Sequence, residues 1–140
     1  MVLGLGYNSF SAQDGDDSGA LALEIHGDPF WQWGSADFSL AGGAEITGEG
    51  DFWIGAGVSV FVPISGQWFF EASVMPGYYD PGTIGNDLGY DLEFRSLGGI
   101  GYAFENGYKL SLAIDHKSNA SLGDENPGVN TVSLRVRREF

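Results

Sequence analysis

Residues 52–70 carry no charged side chain, a stretch of 19 residues. That length raises a membrane-spanning helix, which needs roughly 20 apolar residues. Its content opposes one. Gly55, Gly57, Pro63 and Gly66 interrupt the stretch. Phe52, Ile54, Ala56, Val58, Val60 and Val62 alternate with Trp53, Gly55, Gly57 and Ser59, which is the period of a strand. Ile64-Ser65-Gly66-Gln67 reads as the turn of a hairpin.

The alternation recurs along the chain. Leu3, Leu5 and Tyr7 share one parity, as do Leu21, Leu23 and Ile25, then Leu40, Gly42, Ala44 and Ile46. Trp68, Phe70, Ala72 and Val74 continue it, followed by Leu92, Phe94, Ile100 and Tyr102. Tyr108, Leu110, Leu112 and Ile114 precede Val132, Leu134 and Val136. This predicts eight strands over about 2–10, 19–27, 35–47, 51–63, 67–78, 91–104, 107–118 and 129–140, each near or above the roughly 9–11 residues that cross a bilayer when tilted. The expected architecture is all-β, a single domain over 1–140.

The connections differ by side. Those at 28–34, 65–67 and 105–107 are short, whereas 11–18, 79–90 and 119–128 are longer, polar and acidic; 48–50 is short on that second side. Short turns at one rim and long loops at the other suit an eight-stranded, antiparallel, up-and-down transmembrane barrel of the outer-membrane type. Two aromatic girdles fit that reading, with Trp68, Phe70, Tyr102, Phe104, Tyr108 and Phe140 toward the short-turn rim and Phe52, Tyr78 and Phe94 toward the other. Arg138 near a rim can snorkel to headgroups. The same periodicity also fits a soluble lipocalin-like barrel with the apolar parity inside. In the membrane form, Glu24, Glu45, Glu71 and Glu93 share the lumen with Arg95, Lys109 and Arg135 as a polar plug.

Charge and composition exclude other classes. Six Lys and Arg against 19 Asp and Glu give a net charge of −13, which opposes nucleic-acid binding. Cysteine is absent and the two histidines are His26 and His116, so no metal site is expected. His26 falls on the polar parity with Glu24 and reads as lumenal. The acidic loops, with Asp14, Asp16, Asp17, Asp80, Asp87, Asp124 and Glu125, read as solvated.

One polar group lies on the apolar parity. His116 and Ser118 continue the row of Tyr108, Leu110, Leu112 and Ile114, and Asn130 continues that of Val132. A polar trio facing lipid is costly. A rim position among headgroups is one reason for it. The other is chemistry: a serine hydroxyl becomes a nucleophile when a neighbouring histidine takes its proton, and a third group fixes the tautomer. His-x-Ser on a strand puts base and nucleophile on one face. Asn130 is expected to orient the imidazole, as an asparagine does in papain-like sites.

The segment Asp115-His116-Lys117-Ser118-Asn119-Ala120-Ser121-Leu122, then Asn126-Pro127-Gly128-Val129-Asn130 and a final strand ending in an aromatic, resembles the lipid A 3-O-deacylases, the PagL-type acyloxyacyl hydrolases. Their signature is His-x-Ser-Asn-Ala on the penultimate strand. The motif covers roughly the last 30 residues, and the strand pattern extends the likeness loosely to the whole chain. The resemblance implies Ser118 as nucleophile, His116 as general base, and Asn119 with the backbone N–H near Ser121 as oxyanion hole. The family's best-known members carry Glu where Asn130 stands and tend to have Gly at Ser121. The first departure implies reduced activity, because an amide cannot offset an imidazolium charge.

The resulting expectation is an integral protein of the bacterial outer membrane, a serine esterase that removes an ester-linked acyl chain from lipid A, its site facing the outer leaflet. Its partners would be lipopolysaccharide and membrane lipids; no cofactor is implied, and a homodimer is compatible. The alternative is a non-catalytic small barrel, structural or binding.

Overall fold

The computed structural model describes residues 1–11 and 15–138. These form eight strands: β1 (Val2–Phe10), β2 (Ser18–Trp33), β3 (Ala36–Thr47), β4 (Phe52–Ser65), β5 (Trp68–Asp80), β6 (Leu92–Ala103), β7 (Tyr108–Ser118) and β8 (Val129–Arg138). Each pairs antiparallel with its sequence neighbour, and β8 closes on β1. Residues 52–70 are indeed a hairpin, with its turn narrowed to Gly66-Gln67.

The apolar parity faces outward. Leu5 is 69% exposed and Leu112 58%, whereas Glu24 and Arg95 are 1% exposed. That arrangement excludes the soluble alternative, in which these faces would be exchanged. Such an outer surface is stable only in hydrocarbon.

The lumen is a charged plug. Arg135 grips Glu24 through both guanidinium ends, at 2.9 and 2.8 Å, and its Nε donates to Glu71 at 3.1 Å. Arg95 reaches the same Glu24 from β6. His26 lies inside, 2.9 Å from Glu24 and 3.0 Å from the Ser59 hydroxyl. Nearer the loops, Lys117 donates to Glu45 at 2.7 Å and to Asp115 and Thr131 at 3.3 Å. Buried charges persist when paired and hydrogen-bonded. Lys109 sits lower, over the Phe61 ring at 4.6 Å. Below the plug, at the short-turn end, a vestibule of about 770 Å³ opens beside His26, Asp28, Asp37, Ser59 and Phe61.

Trp53 is buried in the loop-side half of the lumen in one cluster with Met75, Tyr79, Leu88 and Val129. Its indole lies flat across Gly55 and Gly77, where an added Cβ would come within 2.4 and 2.6 Å of ring carbons. The guanidinium of Arg95 lies 4.9 Å from the ring centre.

One connection departs from expectation. Residues 28–33 are strand, not turn, and β2 and β3 meet only at Gly34-Ser35. Pro29 lacks an N–H to donate, and the ladder accommodates it by shifting register on both sides of it, between His26 and Trp31. The turn-rim girdle is present in Trp68, Tyr102 and Phe104, whose rings meet edge to face at 5.4 and 5.2 Å. Arg138 reaches the Tyr108 hydroxyl at 3.1 Å. Asp14 and the terminal Phe140 lie outside the described residues.

The loops at the other rim are tied together. Asp51 is buried and accepts from the Thr47 hydroxyl at 2.7 Å, from Asn86 at 2.9 and 3.0 Å, and from the Gly82 N–H at 2.8 Å. Asn86 in turn accepts the Asp16 N–H at 2.7 Å. Three connections are thereby fixed to one another above the barrel.

Candidate active site

β7 and β8 set the site. Their register places His116 directly opposite Asn130, and β6 places Ser96 opposite His116 and Phe94 opposite Ser118. All lie on the outer face near the loop rim. His116 and Asn130 are exposed and Ser118 is half-buried.

His116 Nδ1 lies 2.9 Å from Asn130 Oδ1. An amide oxygen accepts, so Nδ1 carries the hydrogen and Nε2 keeps its lone pair. Gly128 closes the other side of the ring. It adopts φ +69°, and a Cβ there would fall 2.8 Å from His116 Cε1 and 3.3 Å from Nε2. The absence of a side chain at 128 is what gives the imidazole its place. Among the described residues, no hydrogen bond joins Ser118 to His116. Nucleophile–base contacts are often loose before substrate binds.

Asn119 and Ser121 have other work in this structure. The Asn119 side chain turns inward and is fully buried. Its Nδ2 donates to the carbonyls of Leu88 at 2.9 Å and Glu125 at 2.7 Å. Its Oδ1 accepts the Ser121 N–H at 2.9 Å. The Asn119 Nδ2 and the Ser121 N–H thus both have acceptors within the loops. Ala120 and Ser121 adopt φ of 53° and 63°, and the Leu122 N–H bonds the Asn119 carbonyl at 3.0 Å. This tight left-handed turn is unusual for residues with a Cβ. It leaves the Ala120 N–H with no acceptor among the described hydrogen bonds.

Two contributors were not singled out from sequence. Asn126 Oδ1 accepts the Asn119 N–H at 3.0 Å, and Gly128 makes room for the imidazole. Both lie in the quoted Asn126-Pro127-Gly128 run, whose Pro-Gly pair signals a turn but not what packs against it.

A family model described as lipid A 3-O-deacylase (PagL) matches residues 19–139. The chain belongs to the lipid A 3-O-deacylase (PagL) family. Among solved structures, it resembles the outer membrane enzyme PagL at 21% identity and TM-score 0.75, covering 100% of both chains. It resembles Neisserial surface protein A at 13% identity and TM-score 0.65, covering 99% of this chain and 95% of that one. A de novo designed transmembrane β-barrel matches at 12% identity and TM-score 0.64, over 99% and 92% of the two chains. No curated protein sequence matches significantly. These likenesses are of fold, and the family carries the chemistry: this PagL-family chain is an outer-membrane barrel of the lipid A deacylase class.

Proposed function

We propose that the protein is a serine esterase that hydrolyses the 3-O-linked acyl chain of lipid A, with the loop rim outward and the site open sideways to the outer leaflet. The observation that carries this reading is the His116–Asn130 hydrogen bond on the same outer face as Ser118, in a chain of this family. Ser118 Oγ attacks the acyl carbonyl carbon while His116 Nε2 takes its proton. The resulting oxyanion is held by the backbone of the turn at 119–122, where the Ala120 N–H is the donor still unengaged, with Asn119 and Ser121 shaping that turn. The carbon–oxygen bond to the sugar breaks, and His116 returns the proton to the departing hydroxyl. Water then cleaves the acyl-serine by the same route in reverse roles. Asn130 orients the imidazole without neutralising its charged form.

Lipid A lies in the leaflet that faces this site, so the membrane itself concentrates the substrate. The test is fatty-acid release from purified lipopolysaccharide by the parent and by Ser118→Ala, both refolded in detergent. Release by the parent and none by the variant supports the reading. Equal release by both removes Ser118 from the mechanism. Release by neither favours a non-catalytic barrel.

A further inference from the structure

A cavity of about 500 Å³ opens on the outer surface at the loop rim, lined by Tyr78, Asp87, Gly89, Tyr90, Asp91 and Leu92. We infer that this cavity seats the sugar portion of the substrate, the glucosamine backbone whose hydroxyl forms the scissile ester. The inference rests on the deacylase reading and names the specificity site beside it.

Position comes first. Leu92 pairs with Tyr78, and two residues on, Phe94 pairs with Ser118. Leu92 and Ser118 are thus diagonal neighbours on one face, about 7–8 Å apart. β6 begins at the loop rim, so the cavity lies on the headgroup side of Ser118 and the hydrocarbon lies below. An ester bound at Ser118 would extend its alcohol upward into the cavity and its acyl chain downward along the barrel.

Rigidity comes second. The loop bearing Asp87, Gly89 and Tyr90 is fastened to the segment that follows Ser118. Asn119 donates to the Leu88 carbonyl at 2.9 Å, and a Cβ on Gly89 would meet the Glu125 carbonyl oxygen at 2.5 Å. The Tyr79 N–H bonds the Asp91 carbonyl at 2.8 Å, which extends the ladder into the cavity wall. Cavity and nucleophile therefore keep a fixed spacing.

Chemistry comes third. Two phenol rings offer flat apolar faces to a pyranose, and two carboxylates offer acceptors to its hydroxyl and amide hydrogens. No cation lines the cavity. The six Lys and Arg residues are Arg95, Lys109, Lys117, Arg135, Arg137 and Arg138, all placed in the lumen or at the turn rim. Asp87 and Asp91 would repel a phosphate, so the seat suits the uncharged part of the sugar.

The experiment compares the parent with Tyr78→Ala and Tyr90→Ala on two substrates, lipid A and a p-nitrophenyl acyl ester that lacks a sugar. We expect the ratio of kcat/KM for lipid A to that for the simple ester to fall about tenfold, mostly through KM, the effect of losing one stacked ring. Tyr90→Phe, which keeps the ring, restores the ratio. A second arm uses Ser118→Ala protein and an N-acetylglucosamine disaccharide without fatty acyl chains, followed by saturation-transfer NMR. Signal that disappears when Tyr90→Ala is added supports the seat. An unchanged ratio, or no disaccharide signal in Ser118→Ala, overturns it. If the parent hydrolyses neither ester but the disaccharide still binds through Tyr90, the deacylase reading falls and the sugar seat stands.

Discussion

His116 Nδ1 lies 2.9 Å from Asn130 Oδ1, and the two residues stand directly opposite each other across the β7–β8 ladder. Asn130→Ala should lower deacylation by about tenfold, the effect of one hydrogen bond on the position of the base. Ser118→Ala should cost at least about a thousandfold. Asn130→Glu should match or exceed the parent, since a carboxylate both orients the ring and stabilises its protonated form. Initial rates of fatty-acid release at matched folding, judged by heat-modifiable gel mobility, separate the three. Full activity in Asn130→Ala would leave a dyad of Ser118 and His116.

Gly128→Ala should reduce kcat while leaving the barrel folded. The added methyl meets His116 Cε1 at 2.8 Å, and φ +69° disfavours any residue with a Cβ. The ring must move, and a displacement of about 1 Å can cost about a hundredfold in rate. Kinetics alongside the gel-mobility assay check this. Unchanged turnover would show that the imidazole finds its productive position without Gly128.

Asn119→Asp removes both hydrogens that Leu88 and Glu125 accept, while Asn119→Ala removes the Ser121 acceptor as well. Either change should loosen residues 81–91 and 119–128 together, at about 1–3 kcal/mol for each buried carbonyl left unsatisfied. Faster proteolytic nicking of both loops, with strands still protected, is the expected result. Nicking confined to 119–128 would show that Asn119 does not hold the other loop.

Glu24→Ala should be among the most destabilising single changes. It leaves the guanidinium groups of Arg135 and Arg95 without their shared carboxylate inside the lumen. Removing one partner of a buried ion pair costs about 3–5 kcal/mol. Urea unfolding in lipid vesicles measures it, and a shift under about 1 kcal/mol would mean that water or Glu71 compensates.

Much of this fold is legible because strand period is local. Leu110, Leu112 and Ile114 need only their own alternation to mark a face. Which face meets lipid is not local, and the loop asymmetry and aromatic rows supplied it. β2 was harder to read. Asp28-Pro29 looks like punctuation, yet the pairing with β3 carries the strand past it by shifting register. The site divides in the same way. Parity puts His116, Ser118 and Asn130 on one surface, but only the register makes His116 and Asn130 partners. The inward turn of Asn119 depends on Leu88, 31 residues away, and no motif spacing could reveal it.

The lumenal charges also constrain how the cylinder can close. Glu24 stands on β2, Arg135 on β8 and Arg95 on β6, so a single carboxylate bridges strands that meet only when β1 and β8 zip together. A slip of two residues at that seam would keep every leucine facing lipid and most of the ladder's backbone bonds paired. It would also carry Arg135 about 7 Å along the strand from its carboxylate. Hydrocarbon cannot tell the two alignments apart, whereas Glu24 can. The plug thus works as a registration key, accepting one alignment of the final seam and penalising its neighbours.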